Sequence, residues 1–190
     1  VKASSTVSAN TLVIGAAAGA GGSASGAASS TVLQTATVAK LENANVAASG
    51  DISVDAQGSQ SAQTTVVGVA AGLAGGAGTG VVNVFSSNTD ASVAGGSTYG
   101  ANLTVNADNT VDSSINAGTG AAGAAAVAGT LVVNLAQTQT SASIGRAGVA
   151  TNVGVDGDVE VSAHTDTRFI NTVVSGAFAG GSAIAGMAQY

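Results

Sequence analysis

The stretch TVVGVAAGLAGGAGTGVVNVF, Thr65–Phe85, contains no charged side chain. It is apolar enough to belong inside a membrane or a core, yet nearly every residue is small. Alanine favours helix, but each glycine in a helix interior costs about 1 kcal/mol relative to alanine. GAAAGAGGSASGAASS (Gly15–Ser30), GTGAAGAAAVAG (Gly118–Gly129) and GAFAGGSAIAG (Gly176–Gly186) have the same character. In strands, by contrast, glycine and alanine let neighbouring sheets approach closely. These segments therefore read as strands and tight bends facing a narrow interior. Thr65–Phe85 reads as buried interior strand, small because the interior is thin.

Landmarks on either side of these segments recur. VKAS at Val1 returns as VDAQ at Val54, VNAD at Val105 and VSAH at Val161, at spacings of 53, 51 and 56 residues. VVNV (Val81–Val84) and VVNL (Val132–Leu135) each begin 27 residues after their tetrad. TDASVAG (Thr89–Gly95) and TSASIGR (Thr140–Arg146) each begin 35 residues after it. TATVAKL (Thr35–Leu41) lies near that place in the first unit, about two residues early. Residues 1–190 thus read as one continuous repeat array, with units starting near 1, 54, 105 and 161. The array begins in mid-pattern, as a piece of something longer would.

Around each tetrad the period is two. In GVDGDVEVSAHTDTRF, Val155, Val159, Val161 and Ala163 share one parity, while Asp156, Asp158, Glu160, Ser162, His164, Asp166 and Arg168 share the other. Ile52, Val54 and Ala56 alternate likewise with Asp51, Ser53 and Asp55, and Leu103, Val105, Ala107 and Val111 with Thr104, Asn106, Asp108 and Asp112. Residues two apart lie on one face of a strand, so these are strands with one wet face. Charges collect here, as at Lys40–Asp55 and Arg146–Arg168. Repeats that cannot bury a face alone must stack. The fold class expected is all-β: a parallel β-helix (β-solenoid) of about 53-residue repeats. Fifty-three residues look too many for one compact coil. Two coils per repeat are expected, giving roughly seven coils and a rod about 35 Å long at about 4.8 Å per coil.

Composition bounds the function. Charged residues are 7% of the chain and aromatics 3%, and proline, cysteine and tryptophan are absent. Missing cysteines exclude disulfides and thiolate metal sites. The absence of proline suits an unbroken ladder. A net charge of −6 argues against nucleic acid as a partner. VKASSTVSAN has no charged region followed by an apolar one, as a signal peptide would.

The order VNAD…GAAGAAAVAGTLVVNLAQTQTSASIG…VEVSAHTDT resembles the repeats of large bacterial filamentous surface adhesins, leukotoxin-type and haemagglutinin-like, exported through type V routes such as two-partner secretion. The resemblance spans essentially the whole chain. It rests on VVNV/VVNL, the following Thr-x-Ala-x-Val/Ile and the alternating Val-x-Ala strand. It implies a secreted, outer-membrane-associated rod that projects a binding tip from the cell surface or mediates contact between cells. In such proteins the repeats are mostly shaft, and no binding residue carries over individually. Partners would be the rest of the repeat array, other rods by lateral or end-to-end association, and a host or neighbouring-cell surface reached through other regions. Family members carry a secretion domain near the N-terminus, and no stretch here resembles one.

Catalytic patterns are not found. Asp156, Asp158 and Glu160 put three carboxylates on one strand face, about 7 Å between neighbours. They are the one weak candidate for a metal, calcium by their oxygen chemistry. A straight strand cannot give all three to one ion, though a corner or an adjacent coil could close the site, and a solvated acidic face is the competing reading. His164, the only histidine, shares a face with Glu160 and Asp166 but has no nucleophile in pattern beside it. The glycine runs lack the Gly-Lys-Ser/Thr and Gly-x-Gly-x-x-Gly patterns of phosphate loops. Asn102-Leu103-Thr104 is a formal glycosylation acceptor, and Thr138-x-Thr140 has the spacing of an ice-binding ladder. The function expected is a non-catalytic structural shaft of an extracellular adhesin or surface filament, with no cofactor. Two alternatives stand beside it. Gly118–Ala136 is long enough to span a bilayer, and Gly-x-x-x-Gly spacing packs membrane helices, so a glycine-zipper helical membrane protein is one. A self-assembling β-rich matrix or filament subunit is the other.

Overall fold

A computed structural model describes residues 1–190. It contains seven strands and no helix: β1 (Lys2–Ala18), β2 (Gly22–Ala47), β3 (Ile52–Ala71), β4 (Ala74–Gly100), β5 (Leu103–Ile144), β6 (Thr151–Val155) and β7 (Val159–Gln189). All pairings between them are parallel. The all-β solenoid read from the alternation is the fold observed. The helical alternative has nothing to rest on, because no helix is long and apolar enough to cross a membrane.

The number of coils differs from expectation. Lys2 pairs with Asp55, Val54 with Val105 and Val105 with Val161, so one whole repeat separates hydrogen-bonded partners. Each repeat is a single wide, flattened coil. It runs out along one face, turns near residues 19–21, returns along the other, and turns again near residues 48–51. Four levels stack where seven coils were expected. At about 4.8 Å per level the stack is roughly 15 Å tall, not 35 Å. The physical reason lies in the alternation itself. It runs unbroken through the 17 residues of β1 and through β2 from Gly22 to Glu42, with its only break at Asn43 near the strand's end, leaving no mid-strand corner at which a smaller coil could close. Residues at roughly equal distances on either side of the bend face one another across the interior instead, whatever their separation in the chain. Val54 shares a cluster with Val93, and Val66 shares one with Val81.

The first face is β1–β3–β5–β7 and the second β2–β4–β5–β7, with β5 bending at Gly123 and Ala124 to serve both. Landmarks stack in register: Val81 on Val132, and Thr89 on Thr140. In the first unit Thr37, not Thr35, stands on Thr89, so the equivalent segment begins two residues inside TATVAKL. Offsets account for one residue of the slip. They are 53 residues on the first face and 52 on the second, between the first two coils.

Inward side chains alternate small with large across the gap. Phe85 is fully buried, packed with Leu33, Ala62 and Val111. Where the sheets come closest, only glycine fits. A Cβ on Gly15 would stand 2.5 Å from the Gly26 carbonyl oxygen on the opposite sheet. Between the apolar clusters runs a polar layer. Gln60 Nε2 donates to Thr35 Oγ1 at 2.9 Å, Asn83 Nδ2 to Ser113 Oγ at 3.2 Å, and Ser87 Oγ to Asn109 Oδ1 at 2.8 Å. Thr138 and Thr140 stack on Ser87 and Thr89, both buried. The threonine spacing therefore belongs to an inward hydroxyl ladder and not to an outer face.

The reading of Thr65–Phe85 as wholly interior needs correction. The segment is the end of β3, a bend at Gly72 and Leu73, and the start of β4. Val66, Ala70, Ala77 and Val81 point inward and are buried, whereas Val69, Leu73 and Val82 are exposed. Both parities are uncharged, yet only one of them is inside.

Candidate interaction site

The two bends of the coil are built from opposite chemistry. At the polar bend, Asn102 Nδ2 donates to Asp51 Oδ1 at 2.7 Å, and its Oδ1 accepts the Asp158 backbone amide at 2.8 Å. One side chain thereby ties three successive coils. The glycosylation acceptor triplet is thus engaged in holding the bend, with Leu103 fully buried behind it. Asp51, Asn102 and Asp158 each lie three residues before their tetrad, a phase repeat visible in the sequence that the tetrad comparison alone passes over. Asn102→Ala loses two charge-assisted or backbone hydrogen bonds and is expected to destabilise by about 1–3 kcal/mol, measured by urea denaturation.

Asp156, Asp158 and Glu160 are exposed around this same bend, the first two between β6 and β7 and the third on β7. No group of three such ligands comes together to hold a metal ion. The bend turns the strand between Asp156 and Glu160, and the Asp158 amide is committed to Asn102. His164 is exposed on β7 and stands in register with Asp108. Two residues beyond Asp166, Arg168 Nη2 donates to Asp112 Oδ2 at 2.7 Å. That hydrogen bond, and then the Asp112 charge, raise the guanidinium above its ordinary value.

On the second face, β2, β4 and the end of β5 form a polar cleft of about 360 Å³, which includes Lys40, Glu42, Asp90 and Arg146 in its lining. Lys40 Nζ lies 3.3 Å from Asp90 Oδ2, and Arg146 Nη1 lies 3.1 Å from Glu42 Oε1. Asp90 Oδ1 also accepts from Ser141 Oγ at 2.7 Å. Two cations meet two anions, so the cleft is internally neutralised. It offers donors and acceptors to a polar ligand but gathers no nucleophile with a base; His164 does not line it. The cleft's residues come from three coils, and although Lys40, Asp90 and Arg146 each lie in a landmark segment, the landmarks do not show which of them meet.

Comparison with protein-family models, with curated proteins and with solved structures finds no match to the chain. The fold and the surfaces above are therefore the basis for any functional reading.

Proposed function

We propose that the chain is a non-catalytic shaft section of a bacterial extracellular adhesin or surface filament, secreted and carried at the cell surface. One observation carries this reading: each coil is bonded to the next along nearly its whole contour, as in the unbroken pairing of β3 with β5 from Ile52–Leu103 to Ala71–Ala122. Such a ladder lengthens by repetition without a new core at each step. None of the buried side chains is charged, so the charges sit outside, where they keep an extended rod in solution. The resemblance to filamentous adhesin repeats supports the same reading, and adhesive specificity would then reside in other regions.

The open edges of β1, β2 and β7 favour a second reading, a subunit that assembles end to end, because unpaired strand edges recruit further strands. Electron microscopy of tandem head-to-tail copies separates the outcomes. The shaft reading expects discrete rods whose length grows by roughly 15–20 Å with each added copy, at about 4.8 Å per level. Filaments of unlimited length from single copies favour the subunit. Globular particles from tandem copies would remove the basis of both. On intact cells, an antibody to the chain is expected to label the surface without permeabilisation, and labelling only after lysis would contradict the location.

A further inference from the structure

Charge is confined to one edge of the flattened stack. The uncharged intervals 3–39, 56–89, 113–145 and 169–190 lie one above another, so the other edge, around the glycine-rich bend, carries no charge at any level. Within about 15 Å of the bend its outward side chains are small or apolar on both faces, and Gln63, Asn116 and Thr172 come only farther back. Val69 on the first face is 45% exposed, Val127 and Leu131 on the second are 52% and 43%, and Leu73 at the bend itself is 66%. The end levels add Leu12 and Phe178. Patches of this extent mark interaction surfaces.

Three observations decide what covers it. First, the apolar surface wraps both faces and the bend between them, so a partner packed on one face would leave the other wet. Second, even counted back to its first charged residue, roughly 30 Å along four strands spaced about 4.8 Å, one face amounts to about 600 Å² at most. A standard stable interface takes about 800 Å² per partner. Third, the bend is built without polar side chains. The Gly19 amide donates to Ala71, Gly72 to Ala122, Leu73 to Gly21 and Ala124 to Leu73, all through backbone carbonyls. The opposite bend relies on Asn102 and Asp51. Where a coil lies both above and below, the bend's backbone groups are spent on neighbouring coils and can leave water at little cost, which hydrocarbon requires of any backbone. The open edges of β1, β2 and β7 are satisfied only when a further coil stacks on them.

We propose that this edge seats in the acyl-chain layer of a phospholipid membrane, lying along the surface like a shallow wedge. The uncharged edge is roughly 20–30 Å deep along the strands, enough to reach through the ~15 Å of hydrocarbon in one leaflet. The first charges on the strands would remain at or above the headgroups. With a net charge of −6, the attraction is apolar and not electrostatic, so uncharged phosphatidylcholine is the fitting surface. Membrane seating is a property of this edge whether or not the chain is a shaft section.

Flotation of the whole chain with phosphatidylcholine vesicles tests the proposal. The chain is expected to float, and the Leu73→Asp/Leu131→Asp double variant to partition at least tenfold less while keeping its β-type circular dichroism. Because the chain has no tryptophan, Phe178→Trp provides a single reporter even if the double variant fails to fold. Its emission is expected to shift to the blue and be quenched by brominated acyl chains, whereas Tyr99→Trp, outside the uncharged edge, is not quenched. Failure to float, flotation indifferent to the two aspartates in a folded variant, or an unquenched indole in the Phe178→Trp variant would each overturn the proposal. A dimer in sedimentation velocity that the double variant dissolves, without flotation, would assign the edge to a second copy and overturn it equally.

Discussion

Val105→Asp is expected to abolish cooperative folding at neutral pH. Val105 is fully buried in the middle of the stack, bonded in register to Val54 on one side and Val161 on the other. Its cluster consists of Ala39, Val54, Ala56, Ala91, Val93, Leu103 and Ala107, with no cation among them. A carboxylate placed there meets neither water nor a counter-charge. The loss should reach or pass the 4–5 kcal/mol that marks exceptional single mutations, against a total of about 5–15 kcal/mol. Burial raises the pKa of that carboxyl in the folded state above its unfolded value of about 3.9. The sign follows. The destabilisation is absent below the unfolded pKa, where both states are protonated, and grows as pH rises above it. Relative to the parent chain, Val105→Asp should therefore recover stability towards pH 3, while Val105→Asn should show no such recovery. Thermal melts of the three proteins between pH 3 and pH 7 check this. A variant that folds normally at pH 7 would mean that Val105 is not interior.

Phe85→Ala comes next, with an expected loss of about 3–5 kcal/mol. The position explains the size of the effect. Phe85 is the largest fully buried side chain, and its ring stacks with that of Phe169 at a centroid distance of 6.0 Å. Small neighbours make room for it. Ala62 is in its cluster, and Ala136 is its ladder partner on β5. Neither can expand to fill the void, and the backbones are held by ladders on both sides. Phe85→Leu should recover about half of the loss, because it restores most of the buried area without the stacked ring. Equilibrium urea unfolding with a shared m-value measures both variants.

How much of this was legible in the sequence depends on where the charges fall. Between Asp51 and Asp55, or between Asp156 and Arg168, polar and apolar residues alternate, and parity separated the inside from the outside. In Thr65–Phe85 both parities are apolar, so alternation carries no such information there, and the outward exposure of Leu73 and Val69 could not be read. The tetrads located equivalent positions because each level presents the same inward cross-section. They could not say how many levels a repeat makes. One wide coil and two narrow coils per repeat leave the same period, and the long run of alternation through β1 and on to Glu42 in β2 distinguishes them. The bend between Asp156 and Glu160, the kind of corner that could have closed a site on the three carboxylates, leaves them exposed and spread around it. The Lys40–Asp90 and Arg146–Glu42 pairs were illegible because they join different coils, at separations set by the register.

One coil per repeat is the central feature of the fold, and disulfide trapping tests it directly. Ser8 and Ser61 are outward ladder partners on β1 and β3, about 4.8 Å apart and so within disulfide reach. Ser8 and Gln34, half a repeat apart, lie on opposite faces. With cysteines at Ser8 and Ser61, mild oxidation is expected to close an intramolecular bridge in the folded chain, seen as the loss of two hydrogen atoms' mass and of both free thiols. Cysteines at Ser8 and Gln34 should stay reduced. Rapid bridging of the second pair and none of the first would show coils of half the width, and would contradict the flattened single-coil architecture.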